Sequence, residues 1–403
     1  MTANVDGISL ETDLTLRDVI HTLAVLSRGP GTPGEHEAAR WLAGRMERAG
    51  LSVDVEAVQF LDGYAHVLLP LGVAGVVAGT LAHARRGRVV AALTSLLATG
   101  LLVDDVSNGP RVWRRLVAKR RSTLNVLATA GDPGAERTLV ILAHHDAAPT
   151  GQVFDQSFQR WLARRFPSVV ARIDTSLPIW WPVVAGPLLV ALGALTGSRK
   201  LTAPGVALST AIAALAADVA RSPIVPGAND NLSAVAALVA LAERMSVDPP
   251  RGLRVLLVSC GAEEVIQGGI YAFAERHFPT LDPRRTWFLN LDTIGSPELL
   301  LVEGEGPFWM EDYCDPDFRD LIVRAAESLG EPLRRGVRSR ASTDAVIPSR
   351  AGYPTATFAS WEPDTKLLSN YHLMSDTPEN LRFDTVARAV EVVGAVVAEL
   401  ADG

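Results

Sequence analysis

The chain reads as a three-layer α/β domain, helices on both faces of a mainly parallel sheet, with two apolar helical hairpins inserted into it. Three observations predict this. Short apolar runs of strand character alternate with amphipathic helical patterns, which implies a parallel sheet covered on both sides. Side chains able to do chemistry gather where those runs end, where open α/β sheets bind ligands. Two further stretches are far more apolar than the rest, and each falls into two halves around a short basic turn.

Taken in order, strands are predicted near 51–56 and at 126–129, 138–143, 253–259, 286–291 and 355–359. Amphipathic helices are predicted at about 231–246, 268–277, 316–329 and 384–401. The hairpins are 64–84 with 89–103, joined by "RRGR", and 177–197 with 201–220, joined by "SRK". A membrane-crossing helix needs about 20 apolar residues. The first and third segments meet that; the second is short, and the fourth is Ala-rich and contains Asp218. These limits divide the chain into 1–62, 106–150 and 227–403, which build the catalytic domain, and two inserts, 63–105 and 151–226.

Composition excludes several classes. The 38 basic and 45 acidic side chains are mixed along the chain and leave a net charge of -7, so no footprint for nucleic acid appears. Two cysteines, Cys260 and Cys314, cannot make a disulfide framework. Cys260, ending an apolar run, reads as a small buried residue. The start "MTANVDGISLETDLTLRDV" lacks the charged and then apolar pattern of a cleavable signal peptide.

The strand ends carry the chemistry. "LVILAHHDAAP" closes a strand with His144, His145 and Asp146; "PGANDNLSA" sets Asp230 before a helix; "SCGAEE" supplies Glu263 and Glu264; "FLNLDTIGS" supplies Asp292; and "NYHLMSD" holds His372 in a loop. Each alone has a plain explanation. An acid before a helix is commonly a cap, and strand alternation turns His145 away from His144. Two imidazoles and three carboxylates converging on one sheet edge, behind apolar strands, are instead a ligand set that suits Zn²⁺. The surplus of carboxylates suggests two ions.

"AHHDA", "GANDNLSA", "GAEEVIQGG", "NLDTIG" and "YHLMSDTPENL" stand in the order and nearly the form of the co-catalytic di-zinc aminopeptidases. The sequence resembles that family, which includes bacterial leucyl aminopeptidases and yeast aminopeptidase Y, with glutamate carboxypeptidase and glutaminyl cyclase as relatives. "RGPGTPGEHEAARWLAGRMERAGLSVDVE" and "STDAVIPSRAGYPTATF" are similar to its first helix and strand and to a late segment. The resemblance covers most of the chain except the hairpins, and it implies a phosphorylase/hydrolase-like zinc-exopeptidase fold.

Carried over residue by residue, the resemblance makes Asp230 a carboxylate shared by two zinc ions per chain. His144 and Asp292 would complete one ion's ligands, and Glu264 and His372 the other's. Asp146 would orient the His144 imidazole, Glu263 would be the general base, and the Tyr371 hydroxyl would support the oxyanion. Ala234 stands where the family more often has Gly, which touches no catalytic position. The implied activity is removal of N-terminal residues from peptides. Glutaminyl-peptide cyclisation and a non-catalytic, receptor-like homologue are the alternatives.

Each hairpin leaves and rejoins the domain, so both its ends should emerge on one side. Segment 67–81 has no charged residue, where a soluble hairpin would show a polar face. A multi-pass membrane location with lipid contacts follows; a pair of hairpins buried in a subunit interface, which would fit a homodimer, is the alternative. Arg111, Arg114, Arg115, Lys119, Arg120 and Arg121 on the domain side, against Arg85, Arg86 and Arg88 at the first turn, favour a cytoplasmic catalytic domain.

Overall fold

The computed structural model of the chain describes residues 10–85 and 87–402. Residues 1–9, on which part of the signal-peptide reading falls, and Arg86 lie outside the described residues.

Among the described residues nine strands form one mixed sheet. They are β1 Ser52–Asp62, β2 Lys119–Gly131, β3 Thr138–His144, β4 Arg254–Cys260, β5 Thr286–Leu291, β6 Glu298–Glu305, β7 Glu311–Asp312, β8 Arg334–Ser339 and β9 Thr355–Trp361. The order is β1-β2-β4-β3-β5-β9-β6-β7, with β8 beside β6. β4, β3, β5 and β9 run parallel in the middle. β1 and β2 add an antiparallel ribbon at one side, and β6 joins β9 antiparallel at the other. The predicted parallel sheet is therefore its centre, with an antiparallel flank on the β1–β2 side and a mixed one around β6.

β3 is buried along its whole length, as an apolar central strand must be. Its alternate residues divide between two cores. Leu139 and Ile141 face one built from helices Leu10–Leu23, Pro33–Arg48, Ser233–Val247 and Phe383–Asp402; Val140 and Leu142 face Ile270 and Phe273 of helix Gly268–His277. The four helices predicted for the domain and the central strands lie within a residue or two of their predicted limits; helix Leu10–Leu23 was not foreseen. β6, β7 and β8 were not foreseen. β7 and β8 are rich in charge, and β6 pairs with β8 and β9, which are distant from it in sequence. The first half of β2, "KRRS", was hidden in the same way.

The hairpins of the inserts form the helices Ala65–His83, Arg88–Val106, Trp180–Thr196 and Arg199–Val219, packed as one bundle; the second insert also holds the short helices Ser157–Arg165 and Pro167–Val170. Three are long and apolar enough to cross a membrane: the first, second and fourth; Trp180–Thr196, at 17 residues, is shorter. This corrects the choice of first and third made from sequence. Helix geometry continues through charged end residues such as Arg88 and Asp105, which an apolar count trims away, while 177–179, with Pro178, stays outside the third helix. Both hairpins turn at the same end, because the Arg88 guanidinium donates to the carbonyls of Ala194 and Leu195 (2.9 Å each).

Small residues bring the helices together around Val190, and nearer the domain Leu68, Leu71, Leu102 and Val184 fill the interior. A Cβ on Gly186 would lie 2.7 Å from Ser209 Oγ, and one on Gly205 2.7 Å from the Val190 nitrogen. Large apolar side chains face outward, among them Val77, Val90, Leu93, Leu97 and Leu195. At the domain end, Trp113 and Trp181 donate through Nε1 to the carbonyls of Val67 and Pro307 (2.9 Å each), and Tyr64 meets Trp180 edge to face.

Candidate metal centre

The carboxyl ends of β3, β4 and β5 and two loops bring the predicted residues together. Asp230 is central: Oδ1 lies 3.3 Å from His144 Nε2, and Oδ2 lies 3.1 Å from His372 Nε2. One carboxylate thus faces two imidazoles with separate oxygens. Glu264 Oε2 is 3.3 Å from His372 Nε2, and Glu263 Oε2 is 4.0 Å from His144 Nε2. Ligand atoms of His144, Asp230 and Glu264 all fall within 4.8 Å of one another. Asp292 lines the same cleft, of about 110 Å³, together with Glu263 and Tyr371. The neighbours Glu263 and Glu264 therefore diverge, one toward each imidazole.

Their loops are held by polar groups behind them. Asp146 accepts the backbone N–H of both Glu263 and Glu264 (3.0 Å each) and places Oδ1 3.5 Å from His144 Nδ1. Asp376 does the same for the bridging loop, accepting from Asn229 N (2.8 Å) and Asp230 N (3.1 Å). Glu35 accepts from Gly31 N (2.7 Å) and Ala262 N (2.8 Å). Arg28, fully buried, donates to the carbonyls of His145, Leu23, Pro226 and Gly227. Asn231 joins the bridging loop to that of Asp292, donating to Leu291 O (3.0 Å) and accepting from Thr293 N (3.0 Å).

Ala262, Thr293 and His372 adopt left-handed backbone conformations, which L-residues hold only when their surroundings fix them. Gly261 leaves no choice of residue, since a Cβ there would sit 2.1 Å from Thr123 Oγ1.

His145 points away from the cleft, its Nδ1 2.9 Å from Ser259 Oγ, and burial lowers its pKa to about 4. It is not among the clustered ligands. Tyr371 stacks on His372 with ring centroids 3.9 Å apart, and burial holds its hydroxyl well above the ordinary phenol value. Cys260 is buried, as expected.

The electrostatics call for cations. Burial raises Glu263 well above the usual carboxylate range, with Asp344, Glu264 and Asp292 adding to it against the opposing pull of His144. Burial also raises Glu264 and Asp292. His372 is pushed up to about 10; burial opposes this, and Glu264 and Asp230 outweigh it. Burial likewise opposes the rise of His144, which hydrogen bonds with Asp146 and Asp230 carry well above the ordinary imidazole value. Nε2 of His372 and Oε1 of Glu264 are buried without a hydrogen bond. Imidazole nitrogen and carboxylate oxygen at these separations fit zinc.

Arg28, Glu35 and Asp376 were not assigned roles from sequence. All three lie inside motifs that resemble the family's, Arg28 as the first residue of "RGPGTPGEHEAARW", and that was the available signal.

The fold and the site together define an α/β protein with a candidate metal centre at the carboxyl ends of its central strands. A sequence model of peptidase family M28 matches residues 211–397, which include Asp230, Glu263, Glu264, Asp292 and His372. Solved structures share the fold over nearly the whole chain. A Zn-dependent exopeptidase from Parabacteroides distasonis is 14% identical, covering 96% of this chain and 97% of its own, with a TM-score of 0.55. An aminopeptidase from Aneurinibacillus sp. strain AM-1 is 15% identical (96% and 93%, TM-score 0.55), as is a glutaminyl cyclase from Tannerella forsythia (96% and 98%, TM-score 0.55). No curated protein matches the sequence. The resemblance read from the motifs is borne out, and the family and its neighbours support a zinc-dependent metallopeptidase.

Proposed function

We propose that the chain is a co-catalytic zinc aminopeptidase that removes N-terminal residues from peptides and is anchored in a membrane by its helical bundle. The observation that carries the enzymatic reading is Asp230, whose two oxygens each face a different imidazole. His144 and Asp292 would hold one ion, Glu264 and His372 the other, and Asp230 both. When bound, zinc supplies a water that ionises near neutral pH and an electrophile for the scissile carbonyl.

The chain's own groups do the rest. Asp146 fixes the His144 ring and, through two backbone hydrogen bonds, aims the paired glutamates apart. Glu263 takes the proton from water and delivers it to the leaving amine. Its Oε1 accepts from Gln267 Nε2 (3.2 Å), which leaves Oε2 toward the cleft. The Tyr371 hydroxyl donates to the developing oxyanion.

The membrane reading is supported by the bundle's arrangement of small residues within and large apolar residues without, and by the aromatic cluster at its domain end. It carries no side. Of the basic residues that favoured a cytoplasmic domain, Arg114 is buried against Asp105 (2.8 and 2.9 Å) and Arg111 is buried donating to Ile266 O. The second hairpin carries exposed Arg199 and Lys200 at its turn and exposed Arg172 and Arg221 at its domain end, so it adds no bias of its own.

Metal analysis of the purified protein beside cleavage of a panel of aminoacyl amides tests the reading. Two zinc ions per chain with amide hydrolysis are expected. One working ion with cyclisation of N-terminal glutamine would replace it with the cyclase alternative. Asp230→Asn should lower occupancy at both positions; loss of one ion with the other unchanged would refute the bridge.

A further inference from the structure

A second cavity, of about 190 Å³, opens beside the metal cleft. The two share Ser176, Ser339, Ala341, Lys366, Leu368 and Tyr371 along their common border. From there the walls become almost wholly apolar and come from the inserts: Leu68 of the first bundle helix, Trp180 and Val183 of the third, and Ile212, Leu215 and Ala216 of the fourth. Phe154, in the second insert, closes the near wall. Its ring meets His372 edge to face at 4.4 Å and Tyr371 at 6.0 Å. The bundle that would meet lipid on its outside thus lines, on its inside, a pocket that begins at Tyr371 and Phe154, beside the metal ligand His372.

A side chain of an ordinary peptide would need only the cleft. A second apolar chamber, continuous with it and walled by bundle helices, suits a long, unbranched hydrocarbon, since apolar walls offer burial without directional bonds. We infer that this cavity takes a long linear aliphatic chain of the substrate, so that the amide cleaved at the metals belongs to an amphiphile whose hydrocarbon lies among the bundle helices. The inference rests on the exopeptidase reading for the cleavage, and on the cavity alone for the chain.

The test is binding of linear alkanehydroxamic acids of four to twelve carbons to the zinc-loaded full-length protein in one detergent. In parallel, hydrolysis is measured for 4-nitroanilides of alanine and its linear 2-aminoalkanoic homologues up to 2-aminododecanoic acid. Affinity should rise about two- to fourfold per methylene until the cavity is full and then level off, and kcat/KM should follow. Ala216→Phe, which narrows the cavity, should bring the plateau to shorter chains; Ile212→Ala, which widens it, should move the plateau to longer ones. Because all variants share the same micelle, a shift between them reports the cavity and not partitioning.

A flat series, no binding at any length, or an identical plateau in all three proteins would overturn the inference. Hydroxamate binding that tracks chain length with no amide hydrolysed would keep the cavity assignment and remove the exopeptidase reading. Hydrolysis indifferent to chain length, with flat binding, would do the reverse.

Discussion

The catalytic domain and the bundle differ in where their large apolar residues lie. In the domain, Leu139, Ile141, Phe273 and Phe288 are fully buried, and the sheet's polar edge ribbon faces outward. In the bundle, glycine, alanine and serine pack beside Leu71, Leu102 and Val190 in the interior, and large apolar residues also face outward, Leu93 63% and Val90 62% exposed. Water drives the first arrangement, because large apolar surface gains most by leaving it. The second gains nothing from water. It fits a medium as apolar as leucine, where helices associate by close backbone packing over small residues. The same chain therefore folds by two rules, and the metal cleft lies near their boundary.

The comparison can be broken at the site first. Glu263→Gln should lower kcat by about 10²–10⁴-fold while zinc content and membrane association stay unchanged, since only the proton path is removed. Turnover near the parent's would show that the base lies elsewhere. On the bundle's outer face, Leu93→Lys should oppose membrane insertion by about 3 kcal/mol. The same change at Val247, 85% exposed on a domain helix, should alter stability by no more than about 0.5 kcal/mol. Flotation with liposomes and thermal melts measure the pair, and equal tolerance at both positions would erase the difference between the regions.

Inside the bundle, Gly186→Leu should cost about 1–3 kcal/mol by forcing helices apart, with zinc content retained. Unfolding followed by tryptophan fluorescence, beside metal analysis, separates the two effects; loss of zinc would mean that bundle and site are one cooperative unit.

The smallest effect is on pH. A raised imidazole pKa means that the metal-free site holds a proton that zinc must displace. With His372 at about 10, that proton is bound throughout the neutral range. Apparent zinc affinity should therefore rise with pH, roughly tenfold per unit for each proton displaced. Titration calorimetry in buffers of different ionisation enthalpy reads the release directly, and pH-independent affinity would show that the imidazoles are already neutral.

Much of this was legible in the chain because each ligand interrupts an apolar pattern. His144 ends "LVILAH", Glu263 and Glu264 follow "VLLVSCGA", and Asp292 ends "FLNL". A polar residue at such a place stands out against its neighbours, and the order of the motifs carried the resemblance. The hairpins were visible for the same reason, by the length of their apolar runs. Which helices were long enough was not, because the hydrogen-bonded helix runs on into Arg88 and Asp105, past the apolar count.

What sequence determined by itself was the alternation of elements, the residues offered at the strand ends and the apolar character of the inserts, since these depend on neighbours along the chain. Tertiary structure alone decided that Arg28 would clasp the carbonyls of His145, Pro226 and Gly227, all distant from it in sequence, that β6 would pair with β9, and that Arg114 would turn inward to Asp105. It also decided which face of each bundle helix is inside. Helices in the hairpins are apolar all round, so periodicity marks no buried side, and only the near approach of backbones at Gly186 and Gly205 selects one.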